Sequence, residues 1–95
     1  MQEEYRRYQR IERLLLDHIR AAEHATRQLA LIPPEQHQRY QGQLDQLHAL
    51  HATIRTTILT AEELLKPEQL HRLQRRVNAH NPKRWQYYHD YTPPL

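Results

Sequence analysis

The sequence predicts an all-α protein: a long antiparallel helical hairpin with a third helix and a short C-terminal aromatic helix, forming a small three- to four-helix bundle. Strong helix formers such as Leu, Gln, Arg and Ala dominate the 95 residues, of which only one is Gly. Apolar side chains recur at alternating gaps of three and four on both sides of Ile32, Pro33 and Pro34. The proline pair marks the turn of the hairpin.

Two apolar stripes face each other when the chain folds back at this turn. The first stripe consists of Tyr8, Ile11, Leu15, His18, Ala22, Ala25, Leu29 and Ile32. The second stripe consists of Tyr40, Leu44, Leu47, His51, Ile54, Ile58, Ala61 and Leu65. The opposed pairs run from Tyr8 against Ala61 to Leu29 against Tyr40, which is the order that an antiparallel hairpin requires.

The prolines set the expected bounds of the two long helices. Helix 1 is expected over residues 2–31, because Pro33 pushes the residue before it out of helical geometry. Helix 2 is expected over residues 34–65, with a proline at its first position. An alternative is a break near residues 60–63, which fit a capping box. We favour the continuous helix because the apolar stripe extends past that point.

Two shorter helices are expected in the remainder of the chain. Pro67 opens helix 3, which is expected to end around residues 79–80. Asn81 and Pro82 fit the cap and first residue of a fourth helix that runs to about His89. Residues 92–95 are expected to form a frayed tail.

Length and composition bound the organisation and the environment of the chain. A chain of 95 residues is expected to form one domain, made of the hairpin with its third helix (residues 1–80) and a basic, aromatic C-terminal part (residues 81–95). The absence of Cys excludes disulfides and thiolate metal ligands. No apolar run reaches the length of a signal peptide or a membrane span, so we expect a cytoplasmic protein without a membrane partner.

The residue types that support catalysis are scarce. The sequence contains neither Cys nor Ser, and its one glycine, Gly42, lies inside a predicted helix and forms no phosphate-binding loop. The adjacent carboxylates Glu62 and Glu63 diverge on a helix. We therefore predict that the protein is not an enzyme and has no cofactor.

Two histidines are expected to face each other in the hairpin seam, His18 on helix 1 and His51 on helix 2. The simplest interpretation is a polar layer that sets the register of the helices. A pH-sensitive layer is the sharper one, because two protonated imidazoles would bring like charges together at low dielectric, and stability is then expected to fall below about pH 6. The third interpretation is a metal site that His18 and His51 form together with His48. The seam lacks a convincing carboxylate, so we predict no metal.

The C-terminal third is basic and aromatic, with no acidic residue between Gln69 and His89. Arginine, tryptophan and tyrosine dominate the energetically important contacts of protein interfaces. The candidate partner-binding residues are Arg72, Arg75, Arg76, Lys83, Arg84, Trp85, Tyr87, Tyr88 and Tyr91. The alternative is an ordinary solvated helix face, with Trp85 and Tyr88 packed as the lid of the bundle.

These features predict a small helical protein-interaction module, an adaptor or an inhibitor that occupies the surface of another protein. The first alternative is a basic nucleic-acid-binding regulator, whose affinity would fall steeply with salt. The second is a structural homo-oligomer. Two long helices that each bury one stripe need a further layer to cover their remaining apolar residues. This layer is the C-terminal segment, a second copy in a homodimer, or a different partner, and the sequence leaves all three possibilities open.

Overall fold

The computed structural model describes residues 2–93. Four α-helices and a 3₁₀ helix follow one another along the chain, which confirms the predicted all-α fold. They are α1 (Gln2–Ala30), the 3₁₀ helix (Pro34–Tyr40), α2 (Gln41–Leu64), α3 (Pro67–Val77) and α4 (Arg84–His89). The predicted C-terminal tail is described as far as Pro93, and its last two positions, 94–95, lie outside the described residues.

Helices α1 and α2 form the long hairpin and share the most extensive contact in the molecule. The apolar stripes read from the sequence form its seam. Leu15 and Ala22 of α1 and Ile54, Ile58 and Ala61 of α2 are fully buried. Burying one such Leu or Ile side chain contributes about 1.5–3 kcal/mol, so these layers hold the hairpin together.

The turn contains a 3₁₀ helix where the sequence predicted the first turns of helix 2. Pro33 provides no side-chain hydrogen bond to cap the segment, and Tyr40, at φ −109° and ψ 25°, separates it from α2. The His37 ring donates to the carbonyl oxygen of Ile32 over 3.1 Å and closes the turn. An uncapped helix start satisfies its backbone with the tighter 3₁₀ bonds instead.

Helix α2 continues through Thr60 to Leu64, as the favoured interpretation predicted. The hydroxyl of Thr60 donates to the carbonyl oxygen of Thr56 over 2.9 Å and does not cap a new helix. Leu65 then takes an extended conformation at φ −90° and ψ 149°, and α3 begins at Pro67.

Helix α3 ends earlier and α4 begins later than predicted, because two asparagines bind the backbone between them. The Asn78 Oδ1 accepts the N–H of Trp85 over 2.8 Å, and the Asn81 Oδ1 accepts the N–H of Lys83 over 3.0 Å. Asparagine side chains that bind nearby backbone compete with helical hydrogen bonds. The segment 78–83 is therefore a non-helical connection held by side-chain to backbone hydrogen bonds, and α4 does not begin within it.

The two C-terminal helices cover one side of the hairpin. Leu73 and Val77 of α3 are fully buried, and so is Ile19 of α1, which lies outside the predicted apolar stripe. Trp85 and Tyr88 of α4 complete the same apolar core. The opposite side of the hairpin has no third layer within the described residues.

The molecule is elongated. Its principal extents are 52 × 23 × 20 Å, and its radius of gyration of 15.0 Å exceeds the value of about 12 Å for a compact chain of this length. Among the helices of residues 2–93, none combines the length and the apolar character needed to cross a bilayer.

Candidate interaction surfaces

The predicted basic and aromatic segment does not form one surface. Trp85 and Tyr88 are only 6% and 3% exposed, because their spacing of three places both on the inner face of α4. They form the lid of the bundle, which was the alternative interpretation, and they are not available as direct contacts for a partner. This corrects the predicted set of contact residues.

Arg84 acts as a link between helices. Its Nη2 lies 3.0 Å from the Glu23 carboxylate of α1, and its Nη1 donates to the carbonyl oxygen of Val77 over 3.2 Å. Its Nε is buried without a hydrogen-bond partner among residues 2–93. The guanidinium joins α1, the end of α3 and the start of α4.

The tyrosines of the C-terminal segment surround His51. The centroid of the His51 ring lies 4.9 Å from that of Tyr91, 5.5 Å from that of Tyr88 and 6.0 Å from that of Tyr87. The Tyr91 hydroxyl also bonds the Nδ1 of His48 over 3.0 Å. Tyr87 remains 60% exposed, so it is the one tyrosine of this cluster with most of its surface open to a partner.

The His18 side chain of α1 lies against one side of α2, whereas His51 belongs to a different side of α2. His51 contacts the α4 tyrosines, whereas His18 donates to the carbonyl oxygen of Leu14 over 2.7 Å and lines a shallow cavity with Leu50 and Thr53. The structure therefore differs from the predicted layer of two facing imidazoles. The physical reason is the docking of α4, which takes up the side of α2 that carries His51.

Two histidines have shifted pKa values of opposite sign. Burial lowers the pKa of His51, and the neighbouring charge of His48 lowers it further. A hydrogen bond to Asp90, 3.0 Å away, raises the pKa of His89, and Glu62 at 3.4 Å adds to this effect. The pH-sensitive element thus involves α4, and its effect on stability stays a prediction.

Two arginines of α3 lie against α1. The Arg72 guanidinium carbon is 5.6 Å from the ring centroid of Tyr8, a cation–π contact, and the Arg76 Nε is 3.9 Å from the Glu12 carboxylate. The Tyr8 hydroxyl donates to the same carboxylate over 2.7 Å. Burial, together with this carboxylate, raises the pKa of Tyr8 to about 12.

The contacts of Arg72 and Arg76 place these two α3 residues beside the arginines of α1, and together they form a larger basic surface. One cavity, of about 540 Å³, is lined by Arg6, Arg10 and Arg13. A second, of about 520 Å³, has basic walls and an apolar floor that includes Leu16 and Ile19. We call this region the arginine surface and define it by Arg6, Arg10, Arg13, Arg20, Arg72 and Arg76.

The acidic groups of the arginine surface are already bonded. Glu12 accepts from Tyr8, and Glu23 is paired with Arg84. Among residues 2–93, no carboxylate lies within ion-pairing distance of Arg10 or Arg13. Arg10 and Arg13 are therefore cationic groups without an ion-pair partner in residues 2–93, whereas Arg20 pairs with Asp17 at 3.3 Å and Arg76 with Glu12 at 3.9 Å.

Arg75 and Lys83, also candidates from the sequence, are exposed but lie apart from this surface. Arg75 is on the outer face of α3 by helical spacing, and Lys83 is in the link before α4. Glutamates sit among the α1 arginines in the sequence, which by itself favours an ordinary helix surface. Only the packing of α3 on α1 joins the two groups.

Within the described part of the chain, no three His, Cys, Asp or Glu side chains are grouped so that they could hold a metal ion. Comparison with protein-family models, curated proteins and solved structures finds no significant match.

Proposed function

We propose that this protein is a protein-interaction module, an adaptor or an inhibitor, that binds an acidic segment of a partner protein on its arginine surface. The observation that supports the proposal is the packing of α3 on α1, which joins arginines that are separate in the sequence. The proposed role is binding and not catalysis, and the cytoplasmic location expected from the sequence is part of the proposal.

The chemistry of the surface matches carboxylates. Guanidinium groups bind carboxylates through two parallel N–H···O bonds, and such charge-assisted bonds are about twice as strong as neutral ones. The groups at Arg10 and Arg13 have no competing carboxylate within ion-pairing distance in residues 2–93. An acidic segment laid along α1 would supply one.

The apolar floor of the second cavity favours a protein over a nucleic acid. This cavity of about 520 Å³ is lined by the apolar residues Leu16, Ile19 and Ala79 together with Arg20, Glu23, Arg76, His80 and Arg84. A segment that alternates acidic and apolar residues can pair with the arginines and bury an apolar side chain between them. A phosphate backbone would use only the charges, so nucleic acid is the alternative that the experiment must distinguish.

The test compares two double variants with the same change in net charge. Arg13→Glu with Arg76→Glu reverses the arginine surface, and Arg27→Glu with Arg39→Glu reverses two exposed arginines elsewhere. Immobilised protein captures partners from a lysate of the cells that encode it. Each captured protein is then purified and titrated by calorimetry against wild type and both variants.

We expect a captured partner whose affinity falls at least about 10-fold with the first variant and less than about 2-fold with the second. Equal loss with both variants would show that net charge alone drives the binding and would contradict the proposal. Binding of a 20-base oligonucleotide that is tight at about 50 mM KCl, falls steeply by about 200 mM KCl and is lost only with the first variant would favour the nucleic-acid alternative.

A further inference from the structure

The side of the hairpin opposite α3 and α4 carries a second heptad pattern. On α1 and the following turn, and again on α2, residues on this side are spaced at alternating gaps of four and three. We call this side the uncharged face and define it by Leu14, His18, Ala21, Ala25, Gln28, Ile32, Gln46, Leu50, Thr53, Thr57, Thr60 and Leu64. Heptad spacing with apolar and small residues is the pattern of a helix that packs against another helix.

None of the residues of this face is Asp, Glu, Lys or Arg. Charged residues make up 26% of the chain, so a solvated face of this length would be expected to carry several. On α1 the same spacing continues before Leu14 with Arg10, Arg7 and Glu3, so the uncharged part of the pattern begins at Leu14. Depletion of charge at the centre of a patch is the compositional signature of a protein interface.

The uncharged face also exposes apolar groups. Leu14, the first residue of the face on α1, and Leu64, its last residue on α2, are each 48% exposed. At the other end, beside the turn, a cavity of about 440 Å³ is lined by Ala25, Leu29, Ile32, Tyr40, Leu47 and Leu50. No described element of the same chain covers this groove.

We propose that the uncharged face is covered by a second copy of this chain, giving a two-fold symmetric dimer with a four-helix core. A two-fold interface places the same patch against itself. A face without charged residues can meet itself across such an axis without like-charge repulsion, even though each chain carries a net charge of +3.

The monomer exposes more accessible area than a compact protein of the same mass, and the difference is large enough to supply a dimer interface. Its accessible area is 7147 Å², whereas a compact monomer of this mass exposes about 5,800 Å². The difference, about 1,300 Å², exceeds the roughly 800 Å² that each partner buries in an interface of standard size. The small side chains Ala21, Ala25 and Thr53 allow the helices of two copies to approach closely.

The test uses charge on two neighbouring positions of α2. Thr53 lies at the middle of the uncharged face, and Ala52 is also exposed but points away from it. In a dimer, Thr53→Glu places two like charges in a buried interface, whereas Ala52→Glu adds the same charge to a solvated side. The mass of each variant is measured by chromatography with light scattering, and its helicity by circular dichroism.

Wild type and Ala52→Glu are expected at twice the monomer mass, and Thr53→Glu at the monomer mass with unchanged helicity. Gln46→Glu, also exposed and on the same face, serves as a second variant should Thr53→Glu unfold. A monomeric wild type at about 500 μM overturns the proposal, whatever else binds the face. So does a dimer that resists both variants, or one that Ala52→Glu also disrupts.

A cysteine reporter locates the contact independently of charge. The chain contains no Cys, so a single introduced thiol has no background. With a bifunctional maleimide, Thr53→Cys is expected to cross-link to the partner copy at least about 10-fold faster than Ala52→Cys. Equal rates would overturn the placement of the interface. Neither experiment involves the arginine surface, so failure here is separate from failure of the proposed function.

Discussion

At the residue scale, His51 shows how a tertiary contact changes the role of a side chain. Its place in the apolar stripe predicts a seam residue, and it is indeed buried. Its neighbours, however, are Tyr87, Tyr88 and Tyr91, which come from the far end of the chain. The sequence predicted that stability would depend on pH through the hairpin seam. Because His51 contacts α4, we now expect this dependence to come from the packing of α4 on α2.

The lowered pKa of His51 makes stability fall with acid. Below about pH 6.5 the unfolded chain binds more protons at this position than the folded chain, so the stability contributed by His51 is lost as the pH falls through that window. We expect His51→Gln to flatten this decline. Urea unfolding between about pH 7.5 and about pH 5, followed by the fluorescence of Trp85, measures it.

His89 provides the control with the opposite sign. Its pKa is raised by Asp90, so its contribution is fully present below about pH 6.5 and is lost as the pH rises through the raised value. His89→Gln should therefore steepen the loss of stability in acid, while His51→Gln reduces it. The same slope in wild type and in both variants would contradict the assignment.

At the scale of elements, the long helices follow from local spacing and the link between α3 and α4 does not. Heptad periodicity and proline positions predicted α1 and the C-terminal end of α2 closely, because each helix depends on residues within a few positions of one another. They placed the start of α2 at Pro34, where the structure has a 3₁₀ helix as far as Tyr40. The bond from the Trp85 N–H to the Asn78 side chain depends on where Trp85 docks, whereas the Asn81 side chain bonds the nearby N–H of Lys83. No local pattern specifies where Trp85 docks.

Asn78 is expected to be the stronger of the two asparagine caps. Its half-buried Oδ1 accepts the N–H of Trp85, so Asn78→Ala leaves that donor unpaired and should lower the free energy of unfolding by about 1–2 kcal/mol. Asn81→Ala, at an exposed bond, should cost less than about 0.5 kcal/mol. Urea unfolding by fluorescence measures both variants, and equal costs would contradict the role given to Asn78.

At the scale of the whole molecule, the fold is a hairpin covered on one side. Helices α3 and α4 bury Leu73, Val77, Trp85 and Tyr88 against it, and the uncharged face remains open within the described residues. The elongated shape and the large accessible area are consequences of this one-sided cover. Arg72 and Arg76 of the arginine surface lie on α3, on the side of the hairpin away from the uncharged face, so a dimer would present them outward.

A dimer would couple stability to protein concentration. Association to the folded chain adds about 2.7 kcal/mol when the free concentration is about 100 times Kd, which raises Tm by several degrees. We expect Tm to rise by about 5 °C between about 5 μM and about 500 μM for wild type, and to stay constant for Thr53→Glu. Scanning calorimetry over this range measures it, and a constant wild-type Tm would argue against association.

The sequence by itself determined the helical fold, the seam of the hairpin and the continuity of α2 through Thr60. Those features arise from periodicity and from proline geometry, which act over a few residues. Only the tertiary structure decided that Trp85 and Tyr88 are core, that His51 faces tyrosines and not His18, and that the arginines of α1 and α3 share one surface. These features depend on contacts between residues that are distant in sequence. The periodicity of a single helix does not specify which other element packs against it.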